Sequence, residues 1–248
     1  MSTSTALPGA LVVFGGGSGI GRATAELGTR EYARVVIADV DPAARDLDVV
    51  RTARAEFRPC DAADPGEVRA LLDDAARRHG GLAAVVTTVG GAHPHDAWSV
   101  DLDGWRKEMA FNLESAYVVA TTAASLMAAS GGAIVTTSSS YARLPGADRI
   151  AYTAAKAAVI AFTRSLAQAV ARSGVRVNCV APGTTDTARL RAMAGSEAAM
   201  QARYEASPQG RIATPEDVAR SILFLASPAA ESLTGQVIWV NNGMLMPA

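Results

Sequence analysis

A glycine cluster set between an apolar run and a helical stretch constrains this chain more than any other feature. Residues 10–14 (Ala-Leu-Val-Val-Phe) are uninterruptedly apolar, Gly15-Gly16-Gly17-Ser18-Gly19-Ile20-Gly21 follows, and Arg22 to Glu31 reads as a helix. Strand, glycine turn and helix in that order let the backbone approach a pyrophosphate at a helix N-terminus, where unpaired N–H groups and the dipole favour an anion. A merely flexible glycine loop fits less well, because Ile20 sits among the glycines and an apolar strand precedes them.

The same alternation continues along the chain. Apolar strand-like runs recur at 34–38, 55–59, 82–89, 132–138, 175–180 and 236–240, separated by helical stretches at 19–31, 65–79, 103–130, 151–173 and 215–226 and a shorter one at 43–53. Strands alternating with helices imply right-handed crossovers and a parallel sheet. Strands this apolar suit a sheet covered on both faces, and 49% apolar residues supply that core. The fold class is therefore α/β, a doubly wound parallel sheet of about seven strands. At 248 residues, a single domain over 1–248 is expected. Ligands of such sheets bind beyond the carboxyl ends of the strands. That rim collects Gly15–Gly21, Asp39, Asp61, Val89-Gly90, Ser139 and Pro182-Gly183.

Three residues on this rim and on the helix expected to run beside it suggest chemistry. Tyr152 and Lys156 are four apart, one helical turn, and can share a helix face. An ammonium beside a phenol favours the phenolate, which brings a group that ordinarily titrates near ~10 towards neutral pH. Ser139 could hydrogen-bond a carbonyl or alcohol oxygen. Asp39, at the end of the second strand, can accept hydrogen bonds from both ribose hydroxyls of NAD and would repel the 2′-phosphate of NADP; neither Ser18 nor Val40 is an arginine that could neutralise it. Asp39 could alternatively just open the turn Asp39-Val40-Asp41-Pro42. Asn112 falls inside the long helix 103–130, where asparagine is a mediocre helix former; it is either surface filler or there for a reason. Residues 184–210 form a long insertion that reads as a substrate lid or as an ordinary surface helical pair.

Other classes are disfavoured. A net charge of −1 offers no electrostatic case for nucleic acid or an anionic membrane. No apolar run approaches the ~20 residues of a membrane span, and Met1 to Pro8 lacks the regions of a secretory leader, so a cytoplasmic protein is expected. Cys60 and Cys179 read as buried free thiols. The histidine pair in His93-Pro94-His95 sits in a proline loop, and no metal site is expected.

These residues together resemble the short-chain dehydrogenase/reductase family over nearly the whole chain. Phe14-Gly15-x-x-x-Gly19-x-Gly21 is similar to the family's T-G-x-x-x-G-x-G turn. Asp39 matches its NAD-selecting acid and Asp61 the acid that meets the adenine amino group. Asn112, Ser139, Tyr152 and Lys156 match its catalytic tetrad, and Pro182-Gly183 to Thr187 its P-G-x-x-x-T segment. Pro215 to Ala219 and Thr234-Gly235-Gln236 resemble its C-terminal motifs. The resemblance implies a Rossmann-like domain and reversible hydride transfer between a nicotinamide and a secondary alcohol or ketone. Tyr152 would be the general acid/base, and Lys156 would lower its pKa and hold the nicotinamide ribose. Ser139 would orient the substrate oxygen, and Asn112 would hold a water that relays protons from Lys156. A cofactor contact set follows: Gly15, Gly17, Ser18, Gly19, Ile20, Gly21, Asp39, Val40, Asp61, Ala62, Thr88, Val89, Gly90, Tyr152, Lys156, Pro182, Gly183, Thr185 and Thr187. A homotetramer packed through helices 103–130 and 151–173 is the family's common assembly.

The chain departs from the family pattern at Phe14, at Thr87-Thr88-Val89-Gly90 in place of N-N-A-G, and at Asn241-Asn242-Gly243 in place of D-G-G. Phe14 and Val89 are expected to replace a polar tie by apolar packing, and Asn242 to take glycine's left-handed conformation. Candidate substrate residues are His93, Ser139, Tyr141, Arg143 and Met193, with His95, Trp98 and Tyr204 beside them. NAD-dependent oxidation of a secondary alcohol is the expected activity. NADP-dependent carbonyl reduction and a non-catalytic nucleotide-binding scaffold are the competing readings.

Overall fold

The computed structural model describes residues 6–95 and 98–246; residues 1–5, on which the leader reading partly rests, lie outside them. Seven strands form one sheet: β1 (Leu7–Phe14), β2 (Tyr32–Asp39), β3 (Glu56–Pro59), β4 (Leu82–Thr87), β5 (Gly132–Thr137), β6 (Val175–Pro182) and β7 (Val237–Val240). Their order is β3-β2-β1-β4-β5-β6-β7, and every pairing is parallel. Strand order reverses between β1 and β4, and a cleft opens there beyond the carboxyl ends. The helices are α1 (Gly19–Gly28), α2 (Asp48–Arg51), α3 (Pro65–His79), α4 (Leu102–Met109), α5 (Ser115–Met127), α6 (Ile150–Val170), α7 (Ala188–Ala194), α8 (Glu197–Glu205) and α9 (Pro215–Ala226).

Both faces of the sheet are covered, which is why the central strands β1 and β4 are almost wholly apolar, while the edge strand β3 carries Glu56 and Arg58. Successive side chains of β1 point to opposite faces. Val12 and Phe14 join a core with Val68 and Leu72 of α3 and Val119 of α5. Leu11 and Val13 join a second core with Ala25 of α1 and Ile222 and Leu225 of α9. Phe14 is fully buried, and burial of such a side chain contributes about 1.5–3 kcal/mol. Gly28 lets α1 close onto β1, since a Cβ there would lie 2.4 Å from Leu11 Cδ2. The helices start where their sequences say they should. Asp64 caps α3 ahead of Pro65, and Thr214 and Asp217 form a capping box around Pro215 at the start of α9.

The structure revises several boundaries. The expected helix 103–130 is interrupted by a π-helical turn, Ala110–Glu114, between α4 and α5, and Asn112 lies inside it. Strand 82–89 stops at Thr87, because Thr88 turns away to bond across the sheet and Gly90 takes a φ of 133°. Stretch 43–53 divides into a 3₁₀ turn, Pro42–Asp46, and the short α2. Asn242 does adopt a left-handed φ of 54°.

The tie between β1 and β4 differs from expectation. Phe14 and Val89 do pack in the same core, but a polar link persists. Thr88 Oγ1 donates to Phe14 O at 3.0 Å and Gly15 O at 3.2 Å, and Thr88 N donates to Phe14 O at 2.9 Å. The hydroxyl comes from the β4 side and meets main-chain carbonyls, so position 14 needs none.

Candidate active site

The cleft at the switch point has a volume of about 630 Å³, within the usual range for small-molecule and cofactor sites. The glycine turn closes one end. A Cβ on Gly15 (φ +74°) would lie 2.9 Å from Thr88 Oγ1, and one on Gly21 would lie 2.0 Å from Gly15 O, so neither position accepts a side chain. Ser18 caps α1 from an extended conformation and makes no side-chain capping bond. Its hydroxyl and the first N–H groups of α1 are left for an anion.

Asp39 lies beside this turn. Its Oδ2 accepts from Gly17 N at 2.8 Å and its Oδ1 from Asp41 N at 3.0 Å. These bonds fix the carboxylate, and each oxygen keeps a lone pair for a hydroxyl donor. Gly17 does not line the cleft; its role is to let Asp39 come close, since a Cβ there would be 2.7 Å from Asp39 Oδ2. Val40, Asp61 and Ala62 continue the wall at this end.

Ser139, Tyr152 and Lys156 meet at the other end of the cleft. Ser139 follows β5; its hydroxyl accepts from Tyr141 N at 3.2 Å and lies close enough to the Tyr152 phenol to lower its pKa. Lys156 is buried, and its Nζ donates to Thr137 O at 3.0 Å. Burial pushes its ammonium down to about 8, while the charge of Glu108 acts in the opposite direction. The phenol behaves differently from expectation. Burial raises the Tyr152 pKa, and the groups that oppose this are Ser139, Arg149 and Arg189. Lys156 Nζ stands 5.8 Å from the ring centroid, and its own ammonium is weakened by burial. Asn112 is buried behind the cleft wall. Its Oδ1 accepts from Gly91 N at 2.9 Å, and its Nδ2 donates to Gly91 O and Glu108 O at 3.2 Å and to Glu108 Oε2 at 2.9 Å.

Thr88, Val89, Gly90, Pro182, Gly183, Thr185 and Thr187 line the middle of the cleft, as do Gly19 and Ile20. Of the substrate candidates, only Ser139 does. His93 is exposed and turned to Glu108. Tyr141 lies edge-on to Tyr152 with ring centroids 6.4 Å apart and carries the Arg149 guanidinium 4.4 Å above its ring. Arg143 and Met193 are exposed away from the cleft wall, and Tyr204 bonds Asp186 at the base of the helical pair α7–α8. That pair is fixed by Arg191, which grips both oxygens of Asp186 at 2.7 and 2.6 Å.

Sequence reasoning missed Arg189. It lies in the first turn of α7, lines the cleft, and donates from Nη2 to Ala92 O at 2.8 Å. Gly91 makes room for it, since a Cβ there would be 2.7 Å from Arg189 Nη1. Both thiols are buried, and burial raises Cys60 to about 12 and Cys179 to about 11, which disfavours thiolate chemistry. Among the described residues there is no cluster of His, Cys, Asp and Glu that could hold a metal, and no helix long and apolar enough to cross a membrane.

Residues 15–245 match the family described as enoyl-(acyl carrier protein) reductase. A cis-4-hydroxycyclohexanecarboxylate dehydrogenase from Sinomonas cyclohexanicum is 41% identical over 238 residues, 94% of each chain. The chain belongs to the short-chain dehydrogenase/reductase family. A 2-(S)-hydroxypropyl-CoM dehydrogenase from Xanthobacter autotrophicus is 33% identical over 243 residues, covering 94% of this chain and 95% of that one. The aldohexose dehydrogenase of Thermoplasma acidophilum superposes with a TM-score of 0.90 at 28% identity, over 100% of this chain and 98% of its own. The family uses a nicotinamide cofactor, NAD or NADP, and interconverts alcohols and ketones. The glycine turn, the bare start of α1 and the Ser139–Tyr152–Lys156 end fit such a dinucleotide along the whole cleft.

Proposed function

We propose that this protein oxidises a secondary alcohol to a ketone with NAD. The observation that carries the reading is the convergence, in one cleft, of the Asp39-flanked glycine turn with Ser139, Tyr152 and Lys156. Bound NAD supplies the hydride acceptor. Ser139 holds the alcohol oxygen, Tyr152 takes its proton, and Lys156 supplies positive charge next to the phenol. Burial keeps the phenol protonated, so it can take the proton only with the positive charge of Lys156 beside it, to which a bound cationic nicotinamide would add. Thr185 and Thr187 on the cleft wall would flank the nicotinamide portion, and Gly15, Ser18, Gly19, Ile20 and Gly21 would cradle the pyrophosphate. Asp39 selects NAD over NADP by charge. Helices α7 and α8 act as the substrate lid.

The substrate carries an anionic group. Arg189 puts a guanidinium on the cleft wall, close enough to Tyr152 to act on its charge, and two relatives are named for a ring carboxylate and for a coenzyme M conjugate. The test is to supply hydroxycyclohexanecarboxylates with NAD and follow absorbance of the reduced cofactor. Wild-type turnover that Tyr152→Phe abolishes, with NAD affinity retained, supports the reading. Retained turnover in that variant sinks it. Ketone reduction is the second reading, favoured by the reductase description of the matching family, and a lower Kd for NADPH than for NADH would bring it forward.

A further inference from the structure

The buried carboxylate of Glu108 is unused by the chemistry above. It lies on α4 with 6% of its surface exposed, and a carboxylate is rarely so enclosed without partners. One oxygen accepts from Asn112 Nδ2 at 2.9 Å. The other meets His93 Nδ1, from the loop after β4, within hydrogen-bond reach. The imidazole reaches outward, 64% exposed, with its ring centroid 5.9 Å from that of Phe111. On the inner side, Asn112 Oδ1 and Lys156 Nζ both lie within 2.7 Å of a single point, the position a Cβ on Gly90 would take. Lys156, Asn112, Glu108 and His93 therefore run in order from the active centre to solvent.

We propose that Glu108 and His93 form the outlet of the proton path that serves Tyr152 and Lys156, with Glu108 also the counter-charge of Lys156. The proposal rests on the alcohol-oxidation reading. Oxidation breaks a C–H bond and an O–H bond. The hydride leaves with its electron pair for the nicotinamide, and the hydroxyl proton goes to Tyr152. From the phenol the proton exchanges with Lys156, passes to the Glu108 carboxylate and then to the His93 imidazole, and leaves to water. Each side chain ends in the protonation state in which it began, and no further oxidant is needed. Asn112 acts as the holder: its amide is occupied by Gly91 and by Glu108, and it fixes the carboxylate between lysine and histidine. The titratable groups facing this path are Tyr152 and Lys156 from α6, Cys179 from β6 and His93 from the loop. His95 contacts that loop through His93 O at 2.9 Å, and Arg189 through Ala92 O at 2.8 Å.

Two readouts test it. In stopped flow with NAD and an oxidisable alcohol, reduced cofactor is followed by absorbance and the released proton by an indicator dye. The His93→Gln and Glu108→Gln variants should lose kcat by roughly tenfold or more while KM holds, as expected when a proton-transfer group is removed. Added imidazole should restore the His93→Gln variant and leave the Glu108→Gln variant slow. Wild-type kcat in His93→Gln, or a loss that imidazole does not reverse, overturns the outlet. The second readout needs no turnover: the 13Cε resonance of Lys156, which should titrate near its depressed value of about 8 in wild type and clearly lower in Glu108→Gln. An unchanged midpoint overturns the role of Glu108. If wild type oxidises no alcohol offered, the function reading fails, and the lysine titration still decides this proposal.

Discussion

Replacing Lys156 by methionine should destroy activity and stabilise the fold. The lysine is 3% exposed, and its ammonium is held at about 8 rather than its ordinary 10.5, chiefly by burial. A base whose folded pKa lies below its unfolded one destabilises the fold. The penalty is full below pH 8, where both states are charged, and fades as pH rises from 8 towards 10.5. A shift of that size, at about 1.4 kcal/mol per unit, is roughly 3 kcal/mol. Methionine fills similar space but leaves Thr137 O without its 3.0 Å donor, a loss of about 1 kcal/mol. The variant should therefore be more stable by roughly 2 kcal/mol at pH 7, with the gap closing by pH 10.5. Paired urea titrations at a series of pH values measure it, because titrating groups that do not interact with Lys156 cancel in the difference, leaving Lys156 with its neighbours Glu108 and Cys179. A variant less stable than wild type at pH 7, or a gap that does not move between pH 7 and 10.5, refutes the reasoning.

Three further outcomes are expected. Asp39→Ala should weaken NAD by roughly tenfold or more, the worth of hydrogen bonds to a charged group, and leave NADP binding unchanged or improved; calorimetric titration with both cofactors checks it. Thr88→Val should cost about 1–2 kcal/mol in urea unfolding, because two carbonyls lose their shared hydroxyl donor. Asp186→Asn should release Arg191 and loosen α7 and α8, raising KM with little change in kcat and opening the 184–210 segment to limited proteolysis.

The sheet was legible because a strand buried on both faces has to be largely apolar, as in β1 and β4, and seven strand-like runs stand out between helical stretches even though β3 and β6 carry charged or amide side chains. Gly15 to Gly21 and the Tyr152–Lys156 spacing were legible because each is a local pattern with a local reason. Glu108 and Arg189 were not. Glu108 reads as one charge among many in the polar sequence of α4, and only the fold brings His93 and Asn112 to it. Arg189 reaches a carbonyl 97 residues away. The π turn was equally hidden, since the bonds from Asn112 to Gly91 span 21 residues. The behaviour of Tyr152 was misjudged for a related reason. Spacing places an ammonium on the right helix face, but burial, which raises the phenol and weakens the ammonium together, is set by the surrounding sheet and loops.

The Thr88 hydroxyl has a consequence for how such chains are compared. Scored one column at a time, Phe14 and Thr88 register as two separate deviations, one a lost hydroxyl and the other a changed polar side chain. In space they are a single exchange: the hydroxyl sits on one strand instead of its neighbour and still clasps the start of the glycine turn. Information about this joint is therefore held by the pair and by neither position alone, and a chimera that takes β1 from one relative and β4 from another can inherit two hydroxyls or none.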